Sequence, residues 1–224
     1  SNYGAYEHEV GFDEQNIIVD GQTIQVLAEK DPAQLPWKEL AVDVVIEATG
    51  LFTKHEQLEV HIKAGAKKVV LSAPEKDDTH HDTYVIGVNE HDLKSDHQII
   101  SNASCTTNCI TPVMGIIESN FGIEKAMMTT IHSYTASQRL QDAPAKDLRE
   151  ARSAAENIVP TTTGASIAAA KALPALKGIF GGLSIRVPTP VVSLSDFVII
   201  TKKEVTVEAV NEAFKEAAKS PFYQ

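Results

Sequence analysis

The chain has 224 residues, of which 43% are hydrophobic and 22% are charged, which is the composition of a globular protein rather than a disordered one. Its net charge of -10 predicts a surface that repels nucleic acid and anionic membranes, so we expect neither as a partner. No apolar run is long enough to span a bilayer, and the N-terminal residues lack the pattern of a signal peptide.

The first part of the chain alternates strand patterns with a helix pattern. The runs VDVVIEA at 42–48 and KVVLS at 68–72 are typical of strands covered on both faces, as in a parallel sheet. Between them a helix is predicted from His55 to Ala64. Further strands are predicted at 23–28, 83–88 and 98–101. The alternation indicates βαβ units and an α/β fold.

The pattern changes after residue 103, where we place a boundary between one domain at 1–103 and a second at 104–224. The second domain is predicted to be α+β, with a mixed or antiparallel sheet of longer strands. Its predicted helices lie at 106–120, at 166–173 and from an N-cap at Thr206 to Lys219, its strands at 125–131, 183–187 and 191–201, and a long polar loop at 142–157.

Only two cysteines occur in the chain, Cys105 and Cys109, and their close spacing fits a reducing compartment. We therefore expect a cytoplasmic protein. Cys105 lies between a predicted strand and a predicted helix, where the helix N-terminus favours a thiolate and the turn exposes the side chain. Local sequence leaves a reactive cysteine and a buried structural thiol as about equal alternatives. For Cys109 we expect a small packed residue rather than a disulfide or zinc ligand.

One histidine has a candidate chemical role. His132 ends a predicted strand and is followed by the polar residues Ser133, Tyr134 and Thr135. A cysteine nucleophile needs a base or a cation beside it, and histidine is the usual supplier. The other seven histidines are expected in polar, surface-like contexts, and His80 and His81 are expected in a solvated loop rather than in a metal site.

Two features favour an anionic substrate. The hydroxyl-rich segment from Thr161 to Gly164 precedes a predicted helix, where backbone N–H groups form a natural anion site. Arg186 stands in an otherwise apolar predicted strand and needs a partner, which is either a carboxylate or a bound phosphate. Together with Cys105, these features suggest a cysteine enzyme that acts on a phosphorylated substrate.

The string SNASCTTNC at 101–109 resembles the active-site signature of glyceraldehyde-3-phosphate dehydrogenases. Matches in the same order run from about Tyr3 to Phe222. They are IEATGLF at 46–52, LSAPEKDD at 71–78, MMTTIHSYT at 127–135, PTTTGA at 160–165 and RVPTPVVS at 186–193. The resemblance implies a partial Rossmann-like NAD-binding domain followed by a catalytic domain, and a homotetrameric, glycolytic enzyme.

The resemblance also implies the chemistry. Cys105 would attack the aldehyde of glyceraldehyde 3-phosphate, His132 would pair with the thiolate and the oxyanion, NAD would receive hydride, and inorganic phosphate would release 1,3-bisphosphoglycerate from a thioester. No metal is implied. The residues implied for inorganic phosphate are Ser104, Thr106, Thr163 and Gly164, those for the substrate's phosphate are Thr135 and Arg186, and those for the cofactor are Lys30, Thr49, Gly50, Phe52 and Ser72.

The sequence departs from this family at both ends and at two positions. The glycine-rich turn GxGxxG and the family's C-terminal part are not found, so we expect the chain to be a fragment or a truncated copy, and the choice of NAD over NADP stays open. Ala136 stands where bacterial relatives commonly carry a polar residue. Glu150 stands where some relatives carry a phosphate-facing arginine. The alternatives are an erythrose-4-phosphate dehydrogenase, a non-catalytic interaction module and, with least support, a cysteine hydrolase.

Overall fold

The computed structural model describes residues 2–77 and 83–223, in which ten strands form three sheets alongside four α-helices. The strands are β1 (Val10–Phe12), β2 (Asn16–Val19), β3 (Gln22–Gln25), β4 (Val44–Glu47), β5 (Lys68–Leu71), β6 (Ile99–Ser101), β7 (Ile123–Ser133), β8 (Val159–Thr161), β9 (Phe180–Val187) and β10 (Ser193–Thr201). The helices are α1 (His55–Lys63), α2 (Cys105–Phe121), α3 (Ala165–Ala172) and α4 (Val207–Ala217).

The first sheet is an antiparallel meander of β1, β2 and β3. Its second turn consists of Asp20 and Gly21, both with positive φ (50° and 77°), which is the two-residue turn whose twist matches that of the flanking strands. The sequence predicted only the third of these strands. The expectation of βαβ units is therefore wrong for this part of the chain, where the strands are short and mostly exposed.

The second sheet is parallel, in the order β4-β5-β6, and confirms the α/β prediction. Helix α1 connects β4 to β5, and its Leu58 packs with Val69 and Leu71 of the sheet in one apolar core. Gly65 follows the helix with φ of 113°, and a Cβ there would lie 2.5 Å from the Lys38 side chain, so a glycine is required.

The predicted strand at 83–88 is wrong. Only Thr83 forms a bridge, to Ser101, and the chain then turns. The cause is local, because the Asn89 side chain accepts a hydrogen bond from the Val85 N–H (2.9 Å) and Gly87 adopts a φ of 84°. These contacts replace the ladder bonds that an extended strand would make.

The third sheet is mixed, as predicted, in the order β10-β7-β9-β8, with β7 and β9 parallel and the other pairs antiparallel. Helices α2 and α3 cover one face through a core that includes Ile110, Met114, Met128 and Ala169. Strand β8 was not predicted, because it has only three residues, includes Pro160 and ends at Thr161, where the sequence predicted a hydroxyl-rich turn. Thr206 caps α4 as predicted, accepting a hydrogen bond from the Ala209 N–H (3.2 Å).

Candidate active site

The turn between β6 and α2 positions Cys105 as the first residue of its helix. Ala103 adopts a left-handed φ of 57°, and the Ser104 side chain accepts a hydrogen bond from the Thr107 N–H (3.1 Å) as the N-cap. The Asn108 amide donates to the carbonyls of Asn102 (2.6 Å) and Ser104 (3.1 Å), which fixes the turn. Cys105 is exposed at the N-terminal, positive end of the α2 dipole.

His132 faces this cysteine from β7. Its Nε2 lies 3.6 Å from the Cys105 Sγ, within hydrogen-bond range for sulfur. Strand β7 lies between two neighbours, and the ladder places His132 opposite Arg186 of β9 and Ser193 of β10. The predicted pair of nucleophile and histidine is therefore in contact, with the histidine on a central strand that restricts its movement.

Arg186 contacts the far side of the imidazole. Its Nη1 lies 2.7 Å from the His132 Nδ1 and 3.1 Å from the Ser133 carbonyl oxygen, which is itself 2.8 Å from Nδ1. The guanidinium only donates, which favours an accepting Nδ1 with the ring proton on Nε2, whereas the Ser133 carbonyl only accepts, which favours a proton on Nδ1. The His132 Nδ1 therefore lies between a donor and an acceptor. In the imidazolium, Nδ1–H donates to Ser133 and Nε2–H points toward Sγ.

The environment of Arg186 combines burial with negative charge. Burial lowers the pKa of its guanidinium, whereas the charges of Glu150 and Cys105 act to raise this pKa. Its Nε is buried and has no hydrogen-bond partner within the described part of the chain. The sequence had left a carboxylate or a phosphate as the partner. The observed partners of Nη1 are an imidazole and a carbonyl, and the buried Nε–H is left for an anion.

Glu150 is fixed near this arginine by a hydrogen bond. The Thr161 hydroxyl donates to its Oε1 (2.9 Å), and Thr161 lies in β8, which pairs with β9 beside Arg186. A carboxylate therefore occupies the neighbourhood of the candidate anion site. Neither flanking arginine contacts this carboxylate, because Arg149 pairs with Asp147 (2.7 Å) and Arg152 with Asp142 (2.8 Å).

The remaining phosphate residues lie at the ends of elements around this centre. Thr135 follows β7, with its hydroxyl 3.2 Å from that of Ser137. Thr163 and Gly164 precede α3, and the Thr163 hydroxyl accepts from the Ala165 N–H (3.2 Å). Ala165 belongs to the core that α3 shares with α2. Ser104 and Thr106 flank Cys105. The role of each in phosphate binding stays a prediction.

Most of the residues predicted for the cofactor lie at the carboxyl edge of the parallel sheet. Thr49 and Gly50 follow β4, and Ser72 follows β5, at the edge where ligands bind in open α/β sheets. Gly50 has φ of 75° and open space at its Cβ position. Phe52 packs partly against the core of this sheet. Lys30 is exposed in the segment between β3 and β4.

Sequence reasoning missed two buried groups beside these residues. Glu47, at the end of β4, and His61, in α1, are each 3% exposed, and their side chains are 3.2 Å apart. The expectation that all histidines other than His132 lie in surface contexts is therefore wrong for His61. A signal was present, since Glu47 is a charged residue in an apolar strand and needs a partner, as does Arg186.

The prediction that Cys109 is packed is also wrong. It is exposed on α2 like Cys105, because residues four apart lie on the same helix face while Thr107, Ile110 and Thr111 occupy the buried face. Both cysteines lie in the described part of the chain and are free thiols.

The described residues contain neither a metal-binding cluster nor a membrane-spanning helix. Within residues 2–77 and 83–223, no cluster of three or more His, Cys, Asp or Glu side chains is placed to hold a metal ion, and no helix has the length and apolarity to cross a membrane. His80 and His81 lie outside the described residues.

Comparison with known families gives two matches. The family described as glyceraldehyde 3-phosphate dehydrogenase, C-terminal domain, matches residues 104–224. The family described as glyceraldehyde 3-phosphate dehydrogenase, NAD binding domain, matches residues 1–55. The first match covers more than half of the chain and includes Cys105, His132 and Arg186.

Curated relatives agree with these matches. A glyceraldehyde-3-phosphate dehydrogenase of Streptomyces coelicolor is 54% identical over 96% of this chain and 64% of its own length. Those of Geobacillus stearothermophilus (53% over 97% of this chain) and Bacillus subtilis (glyceraldehyde-3-phosphate dehydrogenase 2, 51% over 99%) are each covered over 65% of their length. The chain thus spans slightly less than two thirds of these relatives, and it belongs to the glyceraldehyde-3-phosphate dehydrogenase family.

Proposed function

We propose that this chain carries the catalytic centre of an NAD-dependent, phosphorylating glyceraldehyde-3-phosphate dehydrogenase of glycolysis. The observation that carries the proposal is the 3.6 Å contact between the Cys105 Sγ and the His132 Nε2, with Arg186 behind the imidazole. Membership of the family gives the reaction class, and the relatives it matches carry this activity in their names.

The nucleophile in this mechanism is the thiolate of Cys105. The helix N-terminus and the proton on Nε2 both stabilise negative charge on Sγ. Attack on the substrate aldehyde forms a C–S bond and moves negative charge to the aldehyde oxygen. His132 Nε2–H then hydrogen-bonds or protonates this oxygen, since it already points into the space in front of Sγ. The product of this step is a thiohemiacetal on Cys105.

The residues at the strand ends fit a bound NAD. The N-terminal family match is to an NAD binding domain, and Thr49, Gly50 and Ser72 form a polar, exposed edge beyond β4 and β5. Gly50 leaves open space there. When bound, NAD would supply a hydride acceptor for oxidation of the thiohemiacetal carbon to a thioester, and the His132 Nε2 would take the hydroxyl proton released in this step. The protein's part is to orient the cofactor and to exclude water from Cys105.

Two groups of residues would hold the two phosphates. Arg186 has an unpartnered, buried Nε, and an anionic group of the substrate would accept a hydrogen bond from it. Thr135 follows the end of β7, the strand that pairs with β9 at Arg186. Thr163 and Gly164, ahead of α3, offer a hydroxyl and backbone N–H groups to inorganic phosphate. Attack of this phosphate on the thioester releases an acyl phosphate and returns the Cys105 thiolate.

The test is NAD reduction by the purified protein with glyceraldehyde 3-phosphate, in phosphate and separately in arsenate, with Cys105→Ser and Cys109→Ser as matched variants. We expect turnover that is lost in Cys105→Ser and kept in Cys109→Ser. Equal activity of the two variants, or no turnover in the parent protein, would contradict the proposal and favour a non-catalytic interaction module. Preference for erythrose 4-phosphate would assign the related dehydrogenase instead.

We also propose a homotetramer in the cytoplasm. One face of the third sheet is covered by helices, and the opposite face exposes Met127, Leu183, Leu194, Val198 and Ile200, which the strand registers place side by side. An exposed apolar patch of this kind is typical of a subunit interface. The two free thiols fit a reducing compartment. Sedimentation equilibrium of the protein measures its oligomeric mass directly.

A further inference from the structure

A network of hydrogen-bonded polar side chains connects α1 and β4 to the loop that follows β4. It consists of Trp37, His61 and Glu47, and it ends on Thr49. The mechanism above uses none of the first three residues. Their position next to a loop predicted to line the cofactor raises the question of what they do there.

The hydrogen bonds of this network have a fixed direction. The indole Nε1–H of Trp37 only donates, and it lies 3.1 Å from the His61 Nδ1, which must therefore accept. The imidazole proton then sits on Nε2 and points at the Glu47 Oε2, 3.2 Å away. Trp37 thus selects the tautomer in which His61 donates to the carboxylate.

The other oxygen of Glu47 holds the loop. Oε1 accepts hydrogen bonds from the Thr49 N–H (2.8 Å) and from the Thr49 hydroxyl. The Thr49 hydroxyl oxygen accepts in turn from the Leu51 N–H (3.1 Å). Between them Gly50 adopts its positive φ of 75°. A carboxylate that is 3% exposed therefore fixes the backbone of residues that are themselves exposed.

Stability alone does not explain this arrangement. Burying a carboxylate is costly, and apolar residues of similar volume usually stabilise a core at least as well. Ordering the exposed loop buries no additional apolar surface. The gain lies in the shape of the loop, which leaves open space at Gly50 at the carboxyl edge of the parallel sheet.

We propose that Glu47, oriented by His61 and Trp37, is a positioning residue that preorganises the Thr49–Leu51 loop for the dinucleotide cofactor. This inference rests on the proposed function, in which that loop binds NAD. A preformed loop lowers the conformational cost of binding, so its loss weakens affinity without changing the chemistry at Cys105.

The experiment compares Glu47→Gln with the parent protein and with Glu56→Gln, a matched change at an exposed position of α1. In Glu47→Gln the amide N–H₂ must face either the Thr49 N–H or the His61 Nε2–H, so one donor opposes another. Amide hydrogen exchange of Thr49 and Leu51 is measured without cofactor, and the NAD dissociation constant is measured by calorimetry.

We expect both quantities to change in Glu47→Gln. Exchange at Thr49 and Leu51 should accelerate about tenfold and the NAD dissociation constant should rise about tenfold, the effect of losing one or two buried hydrogen bonds. The Michaelis constant for NAD should rise in parallel, while kcat at saturating NAD stays within about twofold of the parent. Glu56→Gln should match the parent in every measurement.

Two results would overturn this inference and leave the proposed function intact. One is an unchanged NAD affinity in Glu47→Gln despite faster exchange, and the other is unchanged exchange. If Glu47→Gln does not fold, Trp37→Phe carries the same test, with an expected weakening of about threefold from the loss of one neutral hydrogen bond. Unchanged affinity in that variant would also overturn it. A parent protein that binds no NAD would instead refute the proposed function, and the inference with it.

Discussion

Two histidines of this chain have similar hydrogen-bond arrangements in very different environments. His132 lies between the Arg186 Nη1 at Nδ1 (2.7 Å) and the Cys105 Sγ at Nε2 (3.6 Å). His61 lies between the Trp37 indole at Nδ1 (3.1 Å) and the Glu47 carboxylate at Nε2 (3.2 Å). In each case a donor approaches Nδ1 and Nε2 faces the second group, but the His132 Nδ1 also lies 2.8 Å from the Ser133 carbonyl oxygen.

The difference between them lies in access and charge. The group that faces His132 is an exposed thiol, and the donor behind the ring is a permanent cation. The group that faces His61 is a buried carboxylate with further hydrogen bonds, and the donor behind the ring is neutral. An imidazole therefore supports chemistry where its partner is accessible and nucleophilic, and it fixes structure where its partner is enclosed and already satisfied.

Replacing His61 should give the largest effect on stability. His61→Ala removes the donor to Glu47 and opens a cavity, so we expect a loss of about 3 kcal/mol in the free energy of unfolding, as for a buried pair that loses one member. His132→Ala, at a half-buried position, should cost less than about 1 kcal/mol. Urea denaturation followed by circular dichroism measures both. Equal losses would contradict the distinction between the two sites.

Replacing His132 should give the largest effect on reactivity. In His132→Asn the thiolate of Cys105 loses its facing proton donor, and we expect alkylation by iodoacetamide at neutral pH to slow about tenfold, because an ordinary thiol is a few per cent thiolate at pH 7. His61→Ala, measured under conditions where it is folded, should alkylate at the parent rate. If both variants slowed equally, a global change rather than the contact with Cys105 would explain the result.

Replacing Arg186 tests the role of the positive charge beside the His132 ring. Arg186→Leu removes the donor to Nδ1 and the unpartnered Nε, so we expect the Michaelis constant for glyceraldehyde 3-phosphate to rise about tenfold or more, the effect of one charge-assisted hydrogen bond. Arg186→Lys should recover part of the loss, because it keeps the charge but not the fork geometry. A variant that simply unfolds would identify Arg186 as a structural charge.

The sequence located Cys105 and His132 individually because each lies in a local motif. The strand-to-helix turn at Cys105 and the strand that holds His132 both have clear patterns, and the apolar runs located β4 and β5 to within two residues. The resemblance to the family supplied the pairing of Cys105 with His132, which lie 27 positions apart. Local patterns alone do not give such long-range contacts.

Other features depend on tertiary contacts that no local pattern encodes. His61 reads as one polar residue of an amphipathic helix, and only the packing of α1 on the sheet places it between Trp37 and Glu47. The wrong strand at 83–88 has a local cause instead, because the Asn89 side chain and Gly87 turn the chain where the apolar alternation predicts a strand. The exposure of Cys109 follows from which face of α2 packs on the core.

The central claim is that Cys105 is activated electrostatically, and comparing Cys105 with Cys109 in the same molecule tests it most directly. Both are free and exposed, and they lie one turn apart on α2, so access to a neutral reagent is comparable. Mass spectrometry after brief iodoacetamide treatment near pH 7 gives the two alkylation rates in one sample. We predict that Cys105 reacts at least about tenfold faster, because the helix N-terminus and His132 stabilise its thiolate. Equal rates would contradict this electrostatic activation of Cys105.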